Sequence, residues 1–284
     1  MKLITPVDIP SPDRTIRPTD RLLLLGSCFS DHMAARLRER FFAVTANPTG
    51  TLYNPVSIAH HSDLFDEADV ILVTFGTAWV FEDLLLPPSA DPWANIVDNC
   101  MKRPARDFRR LRLTVDDIVA LWQPLLQHYA DKHFVFTVSP IRHIKDGLHG
   151  NMLSKAILLQ AVERLTEEQG QTGRVVYFPA YEILMDELRD YRFYAADMLH
   201  PSETAADYIF ERFADTFLTE ADTRSFMNDM HALHLELMHH PLHPGSHEHQ
   251  AFEAHLVAHA EQLIKRYPWT APTVRQQLKN RILV

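Results

Sequence analysis

Five short apolar blocks recur along the chain, each running into polar or glycine-bearing sequence, with helically spaced apolar positions between them. Arg21–Leu25, Phe41–Thr45, Ala68–Phe75, His133–Val138 and Arg174–Phe178 have the length of strands. The third is apolar almost throughout, which suits a strand covered on both faces. After the first block, His32–Phe42 places Met33, Leu37 and Phe41 at helical spacing, and further helices are expected over Val115–Tyr129, Leu153–Glu168, Tyr181–Leu188 and Ser202–Leu218. Thr114 is placed to cap the first of these, with Asp116 and Asp117 in its opening turn. Strand and helix alternate five times. The pattern therefore predicts an α/β fold: a three-layer α/β/α sandwich with a five-stranded parallel sheet, flavodoxin-like in its layering.

The polar segments between these elements all follow strands, so they gather at one edge of the sheet, where sites in such folds are built. Before them, residues 1–20 carry four prolines and read as an extended arm. Asn47-Pro48-Thr49-Gly50 and Asn54-Pro55 form a shaped loop after the second strand. Residues 84–113 are proline-rich and read as a long irregular loop, a candidate lid or wall of the site. From Glu220 the pattern becomes wholly helical, with segments near 223–239, 247–266 and 271–282. Two units follow: residues 1–219, and a helical C-terminal extension over 220–284.

Composition narrows the functional classes. A net charge of -9 over 284 residues argues against a nucleic-acid partner. The local cluster Arg103, Arg106, Arg109, Arg110 and Arg112 reads as a solvated face before it reads as an anion site. Cys28 and Cys100 are too few for a disulfide framework, and no apolar run approaches a membrane span. No targeting segment opens the chain, so the expected location is cytoplasmic.

Candidate chemistry centres on Gly26-Ser27-Cys28, where a strand turns into a helix and backbone N–H groups can receive developing negative charge. Ser27 and Cys28 compete as nucleophiles. A Cys at a helix start would have its thiolate stabilised. Asp197-x-x-His200, at a loop-to-helix entry after the fifth strand, can act as base with its orienting carboxylate. Candidate oxyanion donors are the nucleophile's own N–H, Gly50, the Gly76 turn, and the side chains of Asn47, Asn54 and Asn99. Arg142 and His143, at the end of the fourth strand beside Lys145, Asn151 and Lys155, are candidates for binding an anionic or polyhydroxylated substrate. Nine histidines lie between His231 and His259, with His231/His234 and His255/His259 spaced to share a helix face. Few acidic residues accompany them, so no metal is expected.

Gly26-Ser27-Cys28-Phe29-Ser30 resembles the Gly-Ser-Cys-Phe-Ala signature of the GSCFA family, with Ser30 in place of the Ala. Asn47-Pro48-x-Gly50, Phe75-Gly76-Thr77-Ala78-Trp79, Thr137-Val138-Ser139-Pro140-Ile141-Arg142-His143 and Asp197-Met198-Leu199-His200-Pro201 are similar to that family too. Together these stretches cover about residues 15–215. The resemblance implies membership of the SGNH (GDSL-like) hydrolase superfamily, with a five-stranded parallel sheet between helices. Gly26, Gly50, Gly76, Asp197 and His200 take the places of that superfamily's motif residues. Cys28 then falls at the nucleophile position, Ser27 at the Asp of Gly-Asp-Ser, and Ala78 where an oxyanion Asn is expected.

The expectation is an SGNH-like hydrolase, an esterase or O-acyl transferase, acting on O-acyl groups of a carbohydrate-like substrate. Cys28 or Ser27 would attack, His200 would shuttle the proton and Asp197 would orient it. Gly50, Gly76, Thr77, Asn47, Asn54, Asn99, Arg142 and His143 would hold the oxyanion or the substrate. No cofactor is called for, and the partner would be a small-molecule or glycan ester. The alternative is a catalytically silent SGNH-fold binding or assembly protein, with a possible homo-oligomer through the C-terminal helices.

Overall fold

The structure is a computed structural model and describes residues 4–98, 103–169 and 173–282. Strand β1 (Arg21–Gly26) leads into helix α1 (Cys28–Arg38), strand β2 (Ala43–Ala46), the short helix α2 (Pro55–Ala59) and strand β3 (Val70–Phe75). Three more strands follow, β4 (Trp79–Asp83), β5 (Ile96–Val97) and β6 (Phe108–Arg112), before helix α3 (Val115–His128) and strand β7 (His133–Val138). Helix α4 (Gly147–Gln169), strand β8 (Val175–Tyr177), helix α5 (Ala180–Glu182) and helix α6 (Glu203–Phe217) complete the α/β unit. Helices α7 (Ala221–Met238), α8 (His247–Arg266) and α9 (Ala271–Ile282) end the described chain.

The five expected strands form one parallel sheet in the order β2-β1-β3-β7-β8. Alternation of side chains divides its core in two. Leu22, Leu24, Leu72 and Val135 face a cluster with α1 and α6, while Leu23, Leu25, Ile71, Val73, Phe134 and Phe136 face α2, α3 and α4. The central strands β1, β3 and β7 are covered on both faces, which is why they read as continuous apolar blocks, while the edge strands β2 and β8 are only partly buried. Thr114 caps α3 in a reciprocal box with Asp117. Residues 4–20 form no helix or strand and are tied down at Val7, whose N–H donates to Glu187, and at Ile16, whose N–H donates to the Phe217 carbonyl.

Two expectations need correction. The segment 84–113 is not simply irregular: it contributes β5 and β6, which flank β4 in a small antiparallel sheet. Most of β6 is exposed, Phe-Arg-Arg-Leu-Arg, so no buried face imposed an apolar alternation that a sequence could display. Helix α4 starts at Gly147, earlier than the apolar spacing predicts, because Gly147 and Gly150 are poor helix formers and mask its first turns.

The C-terminal helices merge with the core. Phe226 of α7 sits buried with its ring 5.4 Å from Phe42 and 5.0 Å from Tyr267, edge to face in both cases. Met230, Leu233, Leu256, Leu263 and Val274 belong to the same apolar cluster as Leu22 and Phe29. No helix among the described residues is long and apolar enough to cross a membrane.

Candidate active site

The turn after β1 can be made only with glycine. Gly26 has φ +134°, and a Cβ there would stand 2.1 Å from the Thr74 carbonyl oxygen. Its N–H donates to Asn47 Oδ1 at 2.9 Å, while Asn47 Nδ2 donates to both carboxylate oxygens of Asp31 at 3.1 Å. Asn47 is therefore a clamp between the turn and α1, and its side-chain N–H groups are engaged away from any oxyanion.

The two adjacent nucleophile candidates have different surroundings. Ser27 is buried and caps α1, accepting from the Phe29 N–H and donating to Ser139 Oγ at 2.9 Å. Cys28, the first residue of α1, is half-buried, with Sγ 3.5 Å from His200 Nε2. On the other side of that ring, Nδ1 lies 2.5 Å from Asp197 Oδ2.

Asp197 and His200 are brought together by a tight turn. Ala195 N–H donates to the His200 carbonyl and Met198 N–H to the Ala195 carbonyl, with Met198 in the left-handed region at φ 60°. Asp197 Oδ1 accepts from the backbone N–H groups of Leu199 and His200 at 2.9 and 3.0 Å. Those two bonds, then the His200 ring, hold its carboxyl down at about 2. Asp197 is thus an anion with a fixed orientation at neutral pH.

The sequence predicted a thiolate stabilised by the helix start, and the balance runs the other way. Burial pushes the Cys28 thiol up. The N–H groups of Cys28 and Phe29 pull it down, but the charges of Asp31 and Asp197 add to the rise. The sulfur needs a base, and His200 is the group in reach.

Several other candidates are already committed. Asn54 is the buried cap of α2: its Oδ1 accepts from Ser57 N–H at 2.8 Å and its Nδ2 donates to Ser57 Oγ at 2.9 Å. Gly50 N–H closes the turn onto the Asn47 carbonyl, and the N–H groups of Gly76 and Thr77 both bond the Tyr53 carbonyl. Thr77 Oγ1 lies 3.1 Å from Ser154 Oγ. Asn99 and Cys100 lie outside the described residues. Arg142 turns its guanidinium to Met185 Sδ at 3.0 Å, and its N–H bonds the Leu199 carbonyl.

One group of residues carries more of the site than the sequence suggested. Lys155 is fully buried, and Nζ donates to the carbonyls of Gly76 and Ser139, both at 2.7 Å, joining the ends of β3 and β7 behind the nucleophile turn. Burial, reinforced by Arg142 and opposed by Cys28, lowers its pKa to about 7. Asn151, Ser154 and Lys155 are all buried on α4. Their i, i+3, i+4 spacing was the available signal: one polar stripe on a helix that should bury an apolar one.

Outside this edge the readings are plainer. Arg103 pairs with Asp83, Arg109 with Glu82 and Arg110 with Asp146, so the arginine cluster is largely neutralised on the small sheet. Among the described residues, Glu236, His255 and His259 bring three ligand atoms within 4.8 Å of one another, and Glu236 accepts from His259 Nδ1 at 2.8 Å. Two grooves lie at this edge. One, of about 720 Å³, begins at Cys28 and is lined by charged residues including Asp31, Arg36, Arg40 and Glu203. The other, of about 630 Å³, runs past Met198 and Leu199 to Arg142, Tyr191 and Tyr194.

The model of the GSCFA family matches residues 21–64 and 60–213. None of the curated proteins matches the chain. Among solved structures it is similar to a catalytic mutant of Axe2, an acetylxylan esterase from Geobacillus stearothermophilus, at 10% identity over 72% of this chain and 97% of that one, TM-score 0.44. It is similar also to an alpha/beta hydrolase enzyme from the metagenome of Lake Arreo (12% identity, 71% and 96% covered, TM-score 0.47). A member of the lipolytic G-D-S-L family from Veillonella parvula is similar at 8% identity, with 70% and 99% covered and a TM-score of 0.42.

Proposed function

The chain belongs to the GSCFA family, and from that premise we propose that it is an SGNH-like hydrolase, an esterase or O-acyl transferase whose nucleophile is Cys28. One observation carries the reading: Cys28 Sγ lies 3.5 Å from His200 Nε2, while His200 Nδ1 lies 2.5 Å from Asp197. These are the contacts a nucleophile, its base and an orienting carboxylate require.

His200 takes the thiol proton as sulfur adds to the ester carbonyl, and the carbonyl electrons move onto oxygen. Collapse expels the alkoxide, which receives that proton from His200 and leaves as an alcohol, with the acyl group on Cys28 as a thioester. Water, or an acceptor hydroxyl in transfer, gives its proton to His200, attacks the thioester and releases the acid or a new ester. The thiolate takes the proton back. Asp197 stays ionised throughout and stabilises the imidazolium. Ser27 serves the turn, since its hydroxyl is spent on Ser139.

The charged lining of the first groove, with Asp31, Arg36, Arg40 and Glu203, favours a hydrophilic ester such as a polyhydroxylated carrier of short acyl groups. The second groove sets Arg142, Tyr191 and Tyr194 among Leu148, Leu184 and Met185.

Hydrolysis of 4-nitrophenyl acetate, with the acyl-enzyme followed by mass, tests the reading. Cys28→Ala and His200→Ala should lower kcat/KM by about 10²-fold or more, and Ser27→Ala by less than about 10-fold. Undiminished turnover in His200→Ala would sink it. One observation favours the second reading, a catalytically silent binding protein: the superfamily's oxyanion position holds Ala78. A Cys28 that never acquires an acyl group while the protein binds a glycan tightly would support that reading.

A further inference from the structure

Stabilising the oxyanion is the largest single demand of acyl transfer, and of the donors named from the sequence, Asn47, Asn54, Gly50, Gly76 and Thr77 are otherwise occupied. Asn47 and Asn54 donate to Asp31 and Ser57, while the N–H groups of Gly50, Gly76 and Thr77 bond main-chain carbonyls. Ala78 has no side-chain donor, and its N–H bonds Ser154 Oγ. Two neighbouring side chains have the opposite character. His143 Nε2 and Asn151 Nδ2 are buried with no hydrogen-bond partner. Buried polar atoms are rarely left so without a use.

His143 is held in place from three sides. Its main-chain N–H donates to Asn151 Oδ1 at 2.9 Å, and its ring stands edge-on to Tyr53 with centroids 5.6 Å apart. Nε2 is 3.3 Å from where a Cβ on Gly76 would stand, so the glycine avoids crowding that nitrogen. The preceding residue, Arg142, bonds the Leu199 carbonyl and so joins this segment to the turn that carries His200. The unpartnered nitrogens of His133, by contrast, lie at the far end of β7.

We infer that His143 donates a hydrogen bond from Nε2 to the oxyanion formed when Cys28 attacks, in place of the Asn that Ala78 replaces, with Asn151 as its positioning residue. The inference rests on the hydrolase reading above. Burial first, then Lys155 and His200, holds the His143 pKa down at about 4, so the ring is neutral at pH 7. A neutral imidazole keeps one N–H, and it polarises a carbonyl without giving up its proton. His143 therefore transfers nothing: it donates one hydrogen bond, and the proton traffic stays with His200.

Two reactions of the same thiol separate this role from a structural one. Acylation of Cys28 by 4-nitrophenyl acetate builds an oxyanion. Alkylation by iodoacetamide displaces iodide from a saturated carbon and builds none. His143→Ala should slow acylation by about 10²- to 10³-fold and leave alkylation within about 3-fold of wild type. His143→Gln, which keeps a donor, should recover part of the loss and stands in should His143→Ala fail to fold. Equal slowing of both reactions, or undiminished acylation in His143→Ala, overturns the inference while Cys28 and His200 keep their roles. Absence of any acyl adduct on wild-type Cys28 overturns the hydrolase reading and this inference together, a result of a different kind.

Discussion

At the scale of single residues, the site is an assignment of protons. Burial raises the Cys28 thiol, so the thiolate that reacts with alkylating agents becomes more abundant only at high pH. The iodoacetamide rate at Cys28 should keep climbing as pH passes 9.0, the ordinary cysteine value, and a plateau below it would contradict the balance described here. Asp197 has the opposite sign. Its folded pKa, about 2, lies below the ordinary 3.8, so whatever it contributes is fully present above about 4 and is lost only as pH falls toward 2. Asp197→Asn should lower turnover by about 10²- to 10⁴-fold, since an amide can hold the imidazole in the wrong tautomer and carries no charge to stabilise its cation. A pH–rate profile of the wild type should show no inflection from Asp197 above pH 4.

Among elements, the decisive one is α4. It carries Lys155 to two carbonyls at the ends of β3 and β7, so one buried amine holds together the edge on which the site is built. Its pKa of about 7 lies below the ordinary 10.5. Between those values the unfolded chain binds the proton that the folded chain has released. Stability should therefore rise with pH across that window. Lys155→Met should abolish this rise and cost about 1–3 kcal/mol for each carbonyl left without a donor. Urea unfolding at pH 7, 8 and 9 measures both effects. A variant as stable as wild type, with the same pH slope, would show that Lys155 does neither.

For the whole molecule, the C-terminal helices complete one layer of the core. Phe226 fills the space between Phe42, just before β2, and Tyr267, at the end of α8. Phe226→Ala should cost about 3–5 kcal/mol, the range for a fully buried aromatic side chain. Loss of helix and loss of β-sheet signals should follow a single urea transition, because α7, α8 and α9 share a cluster with β1, α1 and α6. Early separate melting of the helices would mean that the shared cluster does not couple them.

The chain's apolar periodicity by itself determined the three buried central strands, the layering of the sheet and the helices between its strands, since a strand covered on both faces or a helix covered on one must display that fact in its residues. The Asp197-x-x-His200 spacing was legible for the same kind of reason: three residues in one turn are neighbours whatever the rest of the fold does. Exposed β6 and the glycine-rich start of α4 were not, because neither is specified by burial. Which of Ser27 and Cys28 faces His200 lay beyond the sequence as well. Consecutive residues at a helix start point in different directions, and only the packed structure turned one to Ser139 and the other to His200. Tertiary structure likewise decided that Asn47 and Asn54 brace loops while His143, distant in sequence from all of them, keeps a buried, unpartnered nitrogen beside Gly76. Hydrogen bonds between remote segments fix which polar groups are spent and which remain free, and no local pattern records that exchange.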